Sequence, residues 1–232
     1  MRSLFKIFLM FLPFVLLVSP AIFAAGNQPA RIKVIDSFYD FGHVPMDYKL
    51  VHHFRIKNEG ASDLNIDKAI SNCDCTTAII LNKTVPPDSI GEIKVVFDTR
   101  EYYGSNTRNV TVYSNDIKNP TVVLKYSSDI GVIPREFRAE PQSLFFLPGH
   151  KSKDVKLFNS TDGDIEYDIE MEIDSIFSIG KTNGKIKKGE PAIIKITPRD
   201  DLPRGTHHSN FTVSYKSEKP TRITVPVKIV RY

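Results

Sequence analysis

The residues best placed to do chemistry are Cys73 and Cys75, separated by Asp74 and followed by Thr76; they are the only cysteines in a chain of 232 residues. Two sulfurs at this spacing support three chemistries. They close a disulfide, which an oxidising compartment favours. In an extended segment, residues two apart share a face with Cα atoms about 7 Å apart, at the edge of what a disulfide spans. Alternatively, two thiolates bind a soft ion such as Cu(I) or Zn²⁺, or do redox work. They supply half of a usual zinc site, so a histidine or another chain has to complete it. In the third case both stay reduced and simply pack. The disulfide leads, and Cys73 and Cys75 are the candidate metal ligands if it does not form.

Histidines are the obvious additional ligands. His52-His53 and His207-His208 are adjacent pairs on expected strands, so their side chains point to opposite faces and neither pair chelates one ion alone. His52 shares the apolar face of Phe54 and Ile56, which reads as a core histidine or as a neighbour of the cysteine loop. His43 and His150 read as exposed loop residues. Catalytic templates are missing: the chain has no glycine-rich phosphate loop, no Gly-x-Ser-x-Gly elbow and no His-Glu-x-x-His. The expectation is a non-enzyme without a cofactor.

The elements that hold these residues are strands. Leu50, His52, Phe54 and Ile56 alternate with Val51, His53, Arg55 and Lys57; Ile93, Val95 and Phe97 alternate with Lys94, Val96 and Asp98. Val110-Val112 and Leu124-Tyr126 continue the pattern, and Asn58-Glu59-Gly60, Pro86-Pro87-Asp88 and Asn119-Pro120 punctuate it. Period-two alternation between such turn formers predicts an antiparallel sandwich. In Ile165 to Glu172, Glu166, Asp168, Glu170 and Glu172 form an acidic row that reads as a solvated strand face. Thr182-Asn183-Gly184-Lys185 reads as a two-residue hairpin turn.

The pattern occurs twice. Gly91-Glu92 with Ile93–Phe97 is echoed by Gly189-Glu190 with Ala192–Ile196, and Asn109-Val110-Thr111-Val112 by Asn210-Phe211-Thr212-Val213. Phe54-Arg55-Ile56-Lys57-Asn58 matches Val155-Lys156-Leu157-Phe158-Asn159. The offset of about 100 residues is the size of one immunoglobulin-like sandwich. The predicted fold is therefore all-β, two tandem immunoglobulin-like domains at 30–130 and 137–232.

Ahead of them, Arg2 and Lys6 precede an uncharged apolar run from Ile7 to Val18 that closes on Ala24-Ala25. This is the pattern of a signal peptide over residues 1–24, too short to span a bilayer comfortably, which takes about 20 residues. Its removal leaves 208 residues. The 31 Lys and Arg lose two, leaving 29 against 27 acidic residues. A net charge of about +2, without a basic run, argues against nucleic acid as a partner. A periplasmic or secreted protein follows, with no membrane span after cleavage.

Asp40-Phe41-Gly42, Phe54–Gly60, Ser71-Asn72-Cys73-Asp74-Cys75-Thr76, Gly91–Thr99 and Val112–Asp116 together resemble a secreted bacterial domain family of unknown function. That family is grouped with the hydin-like and PapD-like branches of the immunoglobulin-like sandwiches. The resemblance covers roughly residues 36–130 and implies a seven-stranded sandwich with no established activity. The family more often shows Cys-Gly-Cys-Thr where Asp74 stands here, which alters the turn. The second domain lacks the cysteines. The leading function is a protein-binding or scaffold module for a protein or envelope component, held through sheet edges or end loops such as Arg100–Gly104. The alternatives are a metal-binding or thiol-redox accessory protein using Cys73 and Cys75, and a periplasmic assembly chaperone.

Overall fold

Period-two runs become strands throughout, and no helix occurs among the described residues. The structure, a computed structural model, describes residues 28–172 and 176–232. The segment read as a signal peptide lies outside them. In chain order the first half holds β1 (Ile32–Val34), β2 (Phe38–Val44), β3 (Lys49–Asn58), β4 (Leu64–Ser71), β5 (Thr76–Ile80), β6 (Thr84–Val85), β7 (Ile90–Asp98), β8 (Gly104–Ser114) and β9 (Thr121–Ile130). The second holds β10 (Phe137–Glu140), β11 (Leu144–Phe146), β12 (Lys153–Asn159), β13 (Ile165–Met171), β14 (Phe177–Ile179), β15 (Asn183–Ile186), β16 (Ala192–Pro198), β17 (Gly205–Lys216) and β18 (Thr221–Arg231).

The sequence repeat is a repeat of topology. One sheet runs β1-β3-β7-β5 and another β10-β12-β16-β14, each strand matched by the one nine places later. The facing layers follow the same rule: β6-β4-β8-β9 corresponds to β15-β13-β17-β18, and β2 lies parallel to β9 as β11 does to β18. Each pair of layers encloses its own apolar cluster, one around Phe41, Phe54, Phe97 and Tyr126, the other around Phe137, Phe146, Phe211 and Tyr215. Ile93, Val95 and Phe97 point inward from β7 while Lys94 and Val96 are only half-buried. Each such buried side chain contributes about 1.5–3 kcal/mol of hydrophobic stabilisation. The first sandwich has more strands than the seven that the resemblance implies, the surplus being the short β1 and β6.

Two of the sequence motifs have a mechanical reason. Asn58 and Asn159 end β3 and β12, and both are buried. Asn58 Nδ2 donates to the carbonyls of Ser62 and Val85 while its Oδ1 accepts from Gly60 N–H at 2.9 Å. Asn159 repeats this with Gly163 O and Thr161 N–H. A side chain that mimics a backbone turn fixes the exit of each strand. Asp40-Phe41-Gly42 is a bulge in the β2–β9 ladder. Asp40 Oδ1 accepts from Gly42 N–H and from Ser127 Oγ, Phe41 enters the core, and Gly42 takes a φ of 64°. A left-handed residue at such a bulge favours glycine.

Through that bulge the two sandwiches share one sheet. Ten strands form it, in the order β15-β13-β17-β18-β2-β9-β8-β4-β6, with β11 beside β18. The β18–β2 junction is parallel and consists of the pair Ile223↔His43.

Local signals misled in three places. Asn183-Gly184 is not a hairpin turn: both residues lie in β15, paired with Asp168 and Tyr167 of β13. Cross-strand pairing outweighs the local turn preference. The acidic row is solvated only in part, because the alternation ends with β13: Met171 is exposed and Glu172 is buried. Two of its three remaining members are matched by neighbours, Asp168 by Lys216 and Glu170 by Arg222, each at 2.7 Å. His43 is a strand residue, not a loop residue; its Nδ1 lies 2.9 Å from Val132 O.

Candidate functional site

Cys73 and Cys75 lie in the turn between β4 and β5, at the point where the chain crosses from one layer of the first sandwich to the other. The two are joined in a disulfide with Cα atoms 5.3 Å apart. The separation is shorter than an extended pair would give because the segment bends, and it sits within the usual disulfide range. The turn is anchored on both sides. Asn72 N–H donates to Asn109 O of β8, Asp98 N–H of β7 donates to Cys75 O at 2.8 Å, and Cys73 N–H donates to Ser71 Oγ. In this state the sulfurs offer no thiolate to an ion. Among the described residues, no group of three or more His, Cys, Asp or Glu side chains converges as an ion site.

The feature that sequence reasoning missed is what backs the bridge. Thr76 Oγ1 lies 3.4 Å from Cys73 Sγ and 3.6 Å from Cys75 Sγ, and it is hydrogen-bonded to Tyr126 Oη. Tyr126 is fully buried beside Phe41 and Phe97. Burial pushes its phenol up to about 12, against the opposing effect of the hydrogen bond shared with Thr76, so it remains a hydroxyl at any physiological pH. Cys75 packs against the first core. Because the bridge closes a ring of only three residues, the loop-entropy account assigns it about 1.6 kcal/mol, against about 4.7 for a 100-residue loop. Cys75→Ser is therefore expected to lower unfolding stability by no more than about 2 kcal/mol in urea titrations. A loss above about 4 kcal/mol would show that the bridge is a structural staple.

A second cluster joins the sandwiches. β1 covers β3 only from Ile56 onward, so upstream N–H groups of β3 face an open edge. Side chains of the second sandwich satisfy them: Val51 N–H donates to Asn210 Oδ1 at 2.6 Å and His53 N–H donates to Glu172 Oε2 at 3.0 Å. Glu172 therefore lies beside the strand rather than above one face. Rings from both faces curl to it, His52 Nδ1 to Oε1 at 3.1 Å and His53 Nδ1 to Oε2 at 3.0 Å. This corrects the expectation that the adjacent histidines diverge. His52 stacks on Tyr39 at 3.6 Å and meets Phe54 edge-on, and Glu172 and Tyr39 are its partners in place of the cysteine loop. Burial works against the charged form of Glu172, but the hydrogen bonds of His52 and His53 outweigh it and hold the carboxyl below its ordinary value.

Hydroxyls extend the seam. Tyr39 Oη lies 3.0 Å from Thr212 Oγ1, which meets Thr224 Oγ1 at 2.7 Å, and Thr224 Oγ1 donates to Phe41 O. Burial, followed by the nearby charge of Glu172, raises the Tyr39 phenol to about 12. A cleft of about 530 Å³ opens beside the cluster, and its rim charges are paired, Arg55 with Asp36 and Arg222 with Glu170. The other sequence-marked groups stay apart. His150 accepts from Leu147 N–H in its own turn, and His207 lies against Pro203 O. In the Arg100–Gly104 loop, Tyr102 folds back on Phe97 while Tyr103 is 72% exposed. No helix among the described residues is long and apolar enough to cross a membrane.

No curated protein matches the chain. Solved structures resemble it at low identity. A complex of a chaperone and a tip adhesion subunit from the archaic Csu pili of Acinetobacter baumannii aligns at 19% identity and a TM-score of 0.35, over 40% of this chain and 56% of that one. The Escherichia coli chaperone DraB aligns at 7% and 0.36, over 40% and 54%. A PapD-like domain of human CEP192 aligns at 11% and 0.37, over 54% of this chain and 100% of its own length. The chain spans about half the length of the first two. Residues 32–130, which carry the bridged cysteines, match the family model described as Protein of unknown function (DUF1573).

Proposed function

We propose that this chain is a non-enzymatic, extracytoplasmic binding module, with domains at 30–130 and 137–232, that holds a partner protein by adding one of its extended segments to β5. The observation that carries this reading is the open outer edge of β5. Among the described residues only β7 pairs with it. Cys75 O and Leu81 N–H both bond to β7 or its flank, so the odd-numbered residues face β7 and the alternation turns the N–H and C=O of Ala78 and Ile80 to the open side. Ile79 is 41% exposed and Leu81 47%, which gives an added strand apolar contacts beside its hydrogen bonds. Main-chain pairing supplies affinity in this mode and side-chain contacts supply selectivity. A lysine on such an edge is a common natural block to strand addition. Ile79→Lys in the chain from residue 25 onward is therefore expected to weaken capture of a partner from an envelope extract at least tenfold, with an unchanged unfolding midpoint. Equal recovery by parent and variant would sink the reading.

A further inference from the structure

We infer that Cys73–Cys75 is a thiol–disulfide exchange site, in which the Thr76 hydroxyl, backed by Tyr126, receives the departing sulfur. The argument is geometric. One hydroxyl touches both sulfurs of the bridge, and it is itself buried. With Tyr126 Oη–H donating to Thr76 Oγ1, the Thr76 proton is free to donate to sulfur. Such a donor does little for a neutral disulfide and much for a thiolate, because hydrogen bonds to ionised acceptors are about twice as strong as neutral ones. The two sulfurs are not equivalent. Both are half-buried, but Cys75 packs on the first core whereas Cys73 is not part of that packing. The outer sulfur takes the attack and the inner one leaves.

The steps balance as follows. A thiolate, from a small thiol or a protein cysteine, attacks Cys73 Sγ. The new sulfur–sulfur bond forms as the Cys73–Cys75 bond breaks, and the electron pair departs on Cys75 Sγ, held by Thr76. A second thiolate then attacks the sulfur of the bound thiol, releasing Cys73 as thiolate and a disulfide of the two attacking thiols. Two thiols are oxidised, the bridge is reduced by two electrons, and two protons end on the cysteines. Run backwards, the dithiol becomes a donor of reducing equivalents to a disulfide. The bridge sits at the head of β5, the strand whose edge is proposed to hold a partner, yet exchange does not depend on that docking.

The test incubates the full mature chain with glutathione and, separately, with an unstructured polypeptide carrying one cysteine. Reduction and adduct formation are followed by acid quench and mass spectrometry. With each probe supplied as its disulfide, oxidised glutathione or the disulfide-linked polypeptide dimer, the free Cys73 thiolate of Cys75→Ser attacks the probe and releases one probe thiolate, so this variant is expected to accumulate a mixed disulfide on Cys73, and Cys73→Ser at least about fivefold less. Thr76→Val is expected to slow bridge opening about tenfold, the change that corresponds to losing one hydrogen bond to a charged group. Thr76→Ser is expected to restore the rate, and a thermal melt of each variant separates this from misfolding. Adducts with both probes, or with one alone, support exchange and tell the two thiol sources apart. A bridge inert to millimolar glutathione and to the polypeptide overturns the proposal. So does a Thr76→Val variant that opens at the parental rate while retaining the parental melting temperature.

Discussion

Gly42→Val is expected to cost about 4 kcal/mol of unfolding stability and to loosen the junction between the sandwiches. Gly42 sits at φ 64°, where a β-branched side chain is strained by roughly 1–3 kcal/mol. A Cβ at this position would lie 2.5 Å from Arg222 Cβ and 2.6 Å from its carbonyl carbon, with the carbonyl oxygen closer still. The obstacle is mostly main chain of β18, next to the Ile223↔His43 pair, so it cannot swing aside as a flexible side-chain tip would. Overpacking of this kind adds roughly 1–3 kcal/mol. Urea titration at neutral pH measures the total, and hydrogen exchange at Val51 N–H reports the seam itself. A variant within 1 kcal/mol of the parent, with Val51 still protected, would show that the close approach of β2 and β18 is not needed.

Glu172→Ala is expected to cost about 3 kcal/mol. The substitution removes an acceptor shared by His52 Nδ1, His53 Nδ1 and His53 N–H. It leaves a buried main-chain donor and two rings without that carboxylate, and orphaning buried polar groups costs about 1–3 kcal/mol each before relaxation. The carboxyl also predicts a pH dependence. Its folded-state value lies below the ordinary 4.5, so folding holds it ionised more firmly than the unfolded chain does. The stability this provides is fully present above about pH 4.5 and declines as the medium is acidified through the lowered folded value. Glu172→Gln keeps the size and one acceptor oxygen but does not titrate there, so the difference between parent and variant should shrink between pH 5 and pH 3. A difference that stays constant across that window would mean that Glu172 does not carry its charge in the seam.

The contrast between these two sites and the rest of the chain shows what the amino-acid order makes visible. Strands such as β7 and β8, the twofold repeat and the disulfide all rest on neighbours within a few residues or on a pattern repeated at a fixed interval, so each was legible. The Asp40-Phe41-Gly42 motif was visible as a marker, but its reason, a bulge that lets two backbones touch, needs Arg222, far along the chain. Glu172 looked like the last tooth of an exposed row because alternation was carried past the end of β13. Its partners His52 and His53 lie about 120 residues away in the other sandwich. Thr76 stood next to Cys75 in plain sight, yet its contact with both sulfurs depends on the bend of the turn and on Tyr126, 50 residues later. Asn183-Gly184 failed for the opposite reason: the local preference was real, and pairing with β13 overrode it.

The polar make-up of the seam has a consequence for the order of assembly. The contact of His43 with Ile223 bridges 180 residues, so the first sandwich can complete its own core well before β18 arrives to meet it, since closing a long loop is slow. During that interval the strip around Gly42, Val51 and His53 is bare. Apart from the Val51 side chain, which is buried in the folded chain, what this strip bares is main-chain donors and imidazoles rather than a broad apolar face. Backbone donors and imidazoles stay hydrated until Asn210 and Glu172 displace the water, which lets each half wait in solution for the other.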